Sequence, residues 1–202
     1  MKIICIGRNY AAHAKELGND VPKEPVFFMK PETALLRGDY FYLPDHSSDI
    51  HYEAEVVVKI CKPGKFIRDH HAHKYYNELS IGIDFTARDI QQMCKEKGLP
   101  WEIAKAFDGS APVGKFIAKT QFENLQDINF QLDIDGNKVQ EGNTNNMLFG
   151  IDQLIAYVSK YVSLKKGDLI FTGTPKGVAR VYSGNKLSAS INGETLLEFG
   201  IK

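Results

Sequence analysis

Alternation with a period of two dominates the apolar pattern of this chain. In IHYEAEVVVKI (50–60), Tyr52, Ala54, Val56, Val58 and Ile60 fall on one side of an extended backbone, and His51, Glu53 and Glu55 fall on the other. The same rhythm sets Leu79, Ile81, Ile83 and Phe85 against Ser80, Gly82 and Asp84, and it recurs in INFQLDI (128–134). KIICI (2–6) and DLIFTGT (168–174) read as further strands, the first of them buried. Asp135-Gly136-Asn137 and Asn192-Gly193 supply the turns of two hairpins, the second joining LSASI to ETLLEF.

Helical spacing is rarer. Ile151, Leu154, Ile155, Val158 and Val162 predict one helix ahead of a Lys166-Gly167-Asp168 turn. Asn9 is placed to cap a short helix in NYAAHAKEL (9–17), with Gly18 just past its end. Thr86 and Asp89 read as a capping box for a helix that buries Ile90, Met93 and Cys94 and stops at Gly98 and Pro100. Strands outnumber helices and do not alternate with them regularly, which favours a mixed, mostly antiparallel α+β fold over a doubly wound parallel sheet. No linker divides the 202 residues, so a single domain over 1–202 is expected. The tetrapeptide GKFI occurs at 64–67 and 114–117, too short a match to indicate a repeat.

Charge and cysteine usage narrow the partners. Lysine plus arginine and aspartate plus glutamate both number 25, so the formal net charge is +0 and neither nucleic acid nor an anionic membrane is an expected partner. The apolar stretch before Gly7 is too short for a signal-peptide core or a bilayer span, and a soluble cytoplasmic protein is expected. Cys5, Cys61 and Cys94 are scattered and form no C-x-x-C pair, so any metal would sit among oxygen ligands, as Mg²⁺, Mn²⁺ or Ca²⁺ does.

The acids of the first strand are then the question. Glu53 and Glu55, at i and i+2, lie about 6.6 Å apart along a strand and repel by roughly 2.5 kcal/mol at an effective dielectric of about 20. A solvated outer face or a cation would relieve that, and this stretch alone favours the solvated face of a half-buried strand. Asp84 sits at a strand end before a helix, the position of a polar pre-cap residue as much as of a cleft ligand. Lys105 in WEIAKAF shares a face with Trp101, Ile103 and Phe107 if the stretch is extended, where a snorkelling ammonium is the ordinary outcome. His13 and Glu16 are one helical turn apart, a spacing that suits both a common surface pair and a carboxylate orienting a general base. TGTPKGV (172–178) reads either as a tight turn or as an anion-binding nest, without Walker A spacing.

Taken together, GRNY (7–10), EPVFFMKP (24–31), HYEAEV (51–56), IDFTARDIQ (83–91), KGLPW (97–101), AKAFDGSAP (104–112), QEGNT (140–144) and GDLIFTGTPKGV (167–178) resemble the fumarylacetoacetate hydrolase family. The resemblance is to its branch of acylpyruvate hydrolases and oxaloacetate-acting enzymes that consist of the catalytic domain alone. It implies a mixed β-roll domain, usually a homodimer, with Mg²⁺ or Mn²⁺ held by Glu53, Glu55 and Asp84. It further implies that His13 and Glu16 form a water-activating dyad on a mobile lid helix, and that Lys105 assists at the substrate oxyanion. Arg8, Arg88, Gln91 and Thr174 would bind a small 2-oxo acid. The reaction so implied is metal-dependent C–C cleavage beside a 2-oxo group, by acylpyruvate hydrolysis or oxaloacetate decarboxylation. Isomerisation or tautomerisation on the same scaffold is the alternative, and a non-catalytic metal- or anion-binding protein is the alternative of another class.

Overall fold

The computed structural model describes residues 1–202 except Leu17 and Asn19. Its centre is β5 (Ala54–Ile60), which pairs antiparallel with β6 (Tyr76–Ile83) on one side and β11 (Leu169–Phe171) on the other. With β1 (Ile3–Gly7), β2 (Val26–Lys30) and β8 (Ile117–Ala118) they form a six-stranded sheet in the order β2-β1-β11-β5-β6-β8. A second sheet runs β10 (Asn137–Asn143), β9 (Asn129–Ile134), β13 (Lys186–Ile191), β14 (Glu194–Ile201) and β3 (Tyr40–Phe41). Three short strands, β12 (Ala179–Arg180), β4 (Ile50–Tyr52) and β7 (Thr86–Ala87), form the third. Among these pairings only β1 with β11 and β14 with β3 are parallel, so the fold is the mixed, mostly antiparallel α+β arrangement that the alternation predicts.

Among the described residues five α-helices connect the strands: α1 (Ala11–Glu16), α2 (Asp69–Ala72), α3 (Arg88–Lys97), α4 (Glu102–Lys105) and α5 (Ile151–Tyr161). α5 lays Leu154, Ile155 and Val158 into a core shared with Val56 and Val58 of β5 and with Leu132, Ala189 and Ile191 of the second sheet. Both hairpins close as the sequence predicts, with positive φ at each central pair: Asp135 at 52° and Gly136 at 78°, Asn192 at 47° and Gly193 at 84°.

β5 departs from the half-buried reading, because both of its faces are covered. Val57 points away from the main core into a smaller one with Ile3, Cys5, Ala34, Ala111, Leu169 and Phe171. Each fully buried Val or Ile there contributes about 1.5 to 3 kcal/mol, and a register slip of one residue would exchange the two sets. Glu53 and Glu55 belong to this second, covered face, so the solvated reading fails.

Four local readings also change. Ala87, not Thr86, occupies the cap of α3 and makes no side-chain cap bond. The expected box does not form, because Asp89 accepts from Ser47 Oγ at 2.6 Å and Thr86 Oγ1 donates to Asp84 O. Within α3, Cys94 is buried as expected, while Ile90 and Met93 are half-buried and Gln91 takes the interior position. Gly98 ends the helix at φ 65°, with the Leu99 N–H donating to Cys94 O, as its sequence position suggests. Asn9 does not cap α1; its amide ties Phe149 and Thr172 together instead. Leu17, the last residue of the expected α1, lies outside the described residues. WEIAKAF is not extended: residues 102–105 make one helical turn.

Candidate active site

The pairing of β5 with β6 brings the three acids together. Ala54 lies opposite Ile83 and Glu55 opposite Gly82, and the ladder continues with the Asp84 N–H donating to Glu53 O at 2.8 Å. Opposed residues of an antiparallel pair share a face, so Glu53, Glu55 and Asp84 converge, and carboxylate oxygens of the three lie within 4.8 Å of one another. Gly82 has no side chain to fill the gap: a Cβ there would stand 2.8 Å from Phe171 and 2.9 Å from Pro112 O.

Three cations meet this cluster. Lys105, only 2% exposed, donates at 2.8 Å to Glu53 Oε2 and at 2.8 Å to Asp84 Oδ2. Arg88 donates from Nη2 to Glu53 Oε1 at 2.7 Å and from Nη1 to Gln91 Oε1 at 2.7 Å. The Lys30 ammonium stands 2.7 Å from Asp84 Oδ1, but its N–H groups are directed to Phe85 O, Ser110 O and Ser110 Oγ. Asp84 Oδ1 is consequently a buried carboxylate oxygen that accepts no hydrogen bond. Three converging buried carboxylates, one with an oxygen that accepts no hydrogen bond, suit a hard divalent cation, whose oxygen ligands lie at about 2.0 to 2.6 Å, so the donor set fits Mg²⁺, Mn²⁺ or Ca²⁺.

The electrostatics divide the acids. Burial alone would raise the Glu53 carboxyl, but Lys105, Arg88 and His13 outweigh it and hold the group far below the usual carboxylate range. Glu55 moves the opposite way: burial, Asp84 and Glu53 raise it well above 4.5, against the opposing Gly173 N–H, which donates to Glu55 Oε2 at 2.6 Å. Burial by itself would lower Lys105, and Asp84 and Glu53 reverse that and raise it.

A pH dependence follows from Glu55. Below 4.5 it is protonated both folded and unfolded; above 4.5 the unfolded chain releases its proton while the ion-free folded protein keeps it. Stability without metal therefore falls as pH rises through that window, whereas the Glu53 contribution is constant there and is lost only in acid. A divalent ion needs the carboxylate and displaces the proton. The rise in Tm produced by saturating Mn²⁺ should accordingly be larger at about pH 8 than at about pH 5, and a calorimetric increment independent of pH would count against Glu55 as a ligand.

The turn after β11 serves the cluster. Gly173 adopts φ 99°, which lets its N–H reach Glu55, and the Gly177 N–H donates to Glu16 Oε1 at 2.9 Å. The anions that this expected nest receives are thus the protein's own carboxylates. Thr174 donates to Ala54 O at 2.9 Å and accepts from Gln140 Nε2 at 3.0 Å, while Gln140 Oε1 accepts from the Ala54 N–H at 2.9 Å. Gln140 and Lys30 join the site from within QEGNT and EPVFFMKP, where residue spacing alone marks neither as a site residue.

α1 closes one side. His13 is 5% exposed, and its Nδ1 lies 3.2 Å from Glu16 Oε2. A carboxylate at Nδ1 favours the tautomer with the proton there, leaving a lone pair on Nε2. One cleft, of about 470 Å³ with its open mouth, is lined by Arg8, His13, Glu53, Glu55, Asp84, Arg88, Gln91, Lys105 and Thr174, and Glu16 stands behind His13. Arg8 enters it at φ 60°, a left-handed conformation uncommon outside glycine and costing on the order of 1 kcal/mol. Val26, Phe28 and Trp101 make its apolar wall.

The family model described as Fumarylacetoacetate (FAA) hydrolase C-terminal matches residues 2–201. The chain belongs to the fumarylacetoacetate hydrolase family. It is 41% identical over 201 residues to a Mus musculus protein named oxaloacetate tautomerase FAHD1, mitochondrial, covering 99% of this chain and 91% of that one. It is 42% identical over 203 residues to a mitochondrial oxaloacetate decarboxylase of Dictyostelium discoideum, covering 99% and 93%. Among solved structures, a Pseudomonas aeruginosa fumarylpyruvate hydrolase in complex with Mn²⁺ and pyruvate superposes with a TM-score of 0.94 at 35% identity, covering 100% of this chain and 89% of that one. The named members of this enzyme family thus include tautomerases, a decarboxylase and a hydrolase. Among the described residues no helix is long and apolar enough to cross a membrane.

Proposed function

We propose that the protein is a divalent-metal-dependent enzyme that moves a proton at C3 of a 2-oxo dicarboxylate, with oxaloacetate as the first candidate substrate and its keto–enol interconversion as the first candidate reaction. The charge balance at the acid cluster carries this reading. Glu53, Glu55 and Asp84 are met by Lys30, Lys105 and Arg88, three negative charges against three positive. A bound divalent ion leaves the centre with surplus positive charge, which favours an anionic 2-oxo acid there, and the relatives named for oxaloacetate support a dicarboxylate. A Mg²⁺ or Mn²⁺ ion held by Glu53, Glu55 and Asp84 would supply Lewis acidity toward the oxygens of the 2-oxo acid.

The side chains divide the remaining work. His13 Nε2 accepts the C3 proton, and Glu16, held by the Gly177 N–H, orients the ring and stabilises the imidazolium. The Lys105 ammonium fixes Glu53 relative to Asp84 and keeps a positive charge where enolate charge develops. Arg88 lines the cleft, bonded to Glu53 and Gln91, and its buried Nε has no partner.

Hydrolysis of an acylpyruvate is the second reading, supported by the fumarylpyruvate hydrolase among the similar structures. There the same dyad would deprotonate water rather than carbon. The test is one panel: purified protein with Mg²⁺ or Mn²⁺ against oxaloacetate, acetylpyruvate and fumarylpyruvate, followed for enol–keto conversion, CO₂ and pyruvate. Metal-dependent interconversion of oxaloacetate is the expected result. No accelerated reaction with any of the three would overturn the proposal.

A further inference from the structure

Two cations of the cleft take no part in the charge balance at the acid cluster. Arg8 and Lys95 both line the cleft and both are half-buried, and among the described residues neither has an ion-pair partner. Lys95 sits on α3, where Arg88, Gln91 and Lys95 follow at i, i+3 and i+7 and so share the face turned to the cleft. At 1.5 Å per residue, Lys95 stands about 10 Å along the helix from Arg88. Arg88 holds Glu53, so Lys95 lies at the other end of that helix face from the residue bound to the acids. Its ammonium is seated 5.8 Å from the centre of the Trp101 ring, which itself packs edge-on against Phe28. Those contacts keep a long side chain in place and lower the entropy lost when it meets an anion.

We infer that Lys95, with Arg8 beside it, is the specificity-determining residue that receives the second carboxylate of a dicarboxylate substrate whose 2-oxo end lies at the acid cluster. This deepens the reading above and rests on it. A cation that is half out of water without a partner is unfavourable, and burial, with Arg88 and Arg8 nearby, already lowers the pKa of Lys95. An incoming carboxylate removes that penalty; a methyl group in its place does not. The discrimination is therefore of the kind in which a polar site rejects the analogue that leaves it unpaired.

The inference is tested with matched pairs that differ only in the distal group. Binding of malate and of 2-hydroxybutyrate to the Mn²⁺-loaded protein is measured by calorimetry, and turnover of oxaloacetate is compared with that of acetylpyruvate. The parent should favour the diacid in both measurements, and Lys95→Met should reduce each diacid-to-monoacid ratio by about 10- to 100-fold, the effect of losing a hydrogen bond to a charged group. Lys95→Arg should keep most of the preference. An unchanged Tm and an unchanged Mn²⁺ affinity would show that the Met variant is folded with its acid cluster intact. If Lys95→Met weakens diacid and monoacid equally, or leaves the malate preference in place, the assignment to Lys95 is overturned while the proposed function stands. If the parent itself shows no preference for malate and no turnover of any 2-oxo acid, the proposed function falls, and this inference with it.

Discussion

Glu55→Gln should leave the protein folded, at least as stable without metal, and without metal-dependent turnover. Glutamine keeps the volume of glutamate, and its amide oxygen can still accept the Gly173 N–H that meets Glu55 Oε2. What disappears is an ionisable carboxyl that burial, Asp84 and Glu53 keep protonated in the ion-free protein, and with it the charge that a divalent ion needs. Changes to groups that only support a metal ligand cost about 10- to 100-fold in affinity, so loss of a ligand itself should exceed the upper end of that range. The two expectations have opposite signs, and that makes the variant informative. A residue that merely braced the fold would lower Tm when replaced, with or without metal. Here the metal-free Tm should hold or rise at neutral pH while the gain on adding Mn²⁺ vanishes. A Glu55→Gln protein that binds Mn²⁺ as tightly as the parent, by calorimetry, would remove Glu55 from the site.

Much of the scaffold around Glu55 is legible from residue spacing, because the features concerned are local. Hydrophobic alternation places β5, β6 and β9, the Asp-Gly and Asn-Gly pairs place two hairpins, and Gly98 places the end of α3. The solvation of Glu53 and Glu55 is not local. It depends on β11, more than 110 residues further on, covering the second edge of β5, and on the small core that Val57 joins. Period-two spacing reports that two faces differ, and it is silent on whether the polar one meets water. The capping box fails for a related reason: Asp89 is taken by Ser47, 42 residues earlier, a competitor no window of sequence reveals.

Lysines mislead in the same way. Lys30 lies in VFFMK, where alternation gives it no distinguishing position, yet it is fully buried and touches Asp84. Lys105, read as extended, reaches the acids because 102–105 form a helical turn that drops its side chain between Glu53 and Asp84. Family resemblance points to Lys105, and contact geometry adds Lys30. An ammonium enclosed this completely is tolerable only beside carboxylates, so burial of a lysine is itself the signal, and it becomes visible only in three dimensions.

His13→Ala separates the reactions that the site can support. Interconversion of oxaloacetate and hydrolysis of an acylpyruvate both need a base, at carbon in the first case and at water in the second. Decarboxylation of oxaloacetate needs neither proton removed and depends on the charge held at the acid cluster. The variant should therefore lose about 10²- to 10⁴-fold in tautomerisation and in hydrolysis, the range for removing a general base, and far less in decarboxylation. Glu16→Gln should follow the same order with smaller losses, because the Gly177 N–H can still hold the amide while the negative charge that stabilises the imidazolium is gone. The alternative role for α1 is closure of the cleft alone. In that case His13→Ala would depress all three reactions by one common factor, as exclusion of water and retention of substrate serve them alike. A common factor would refute the dyad as a base while leaving the acid cluster, and the family to which the chain belongs, untouched.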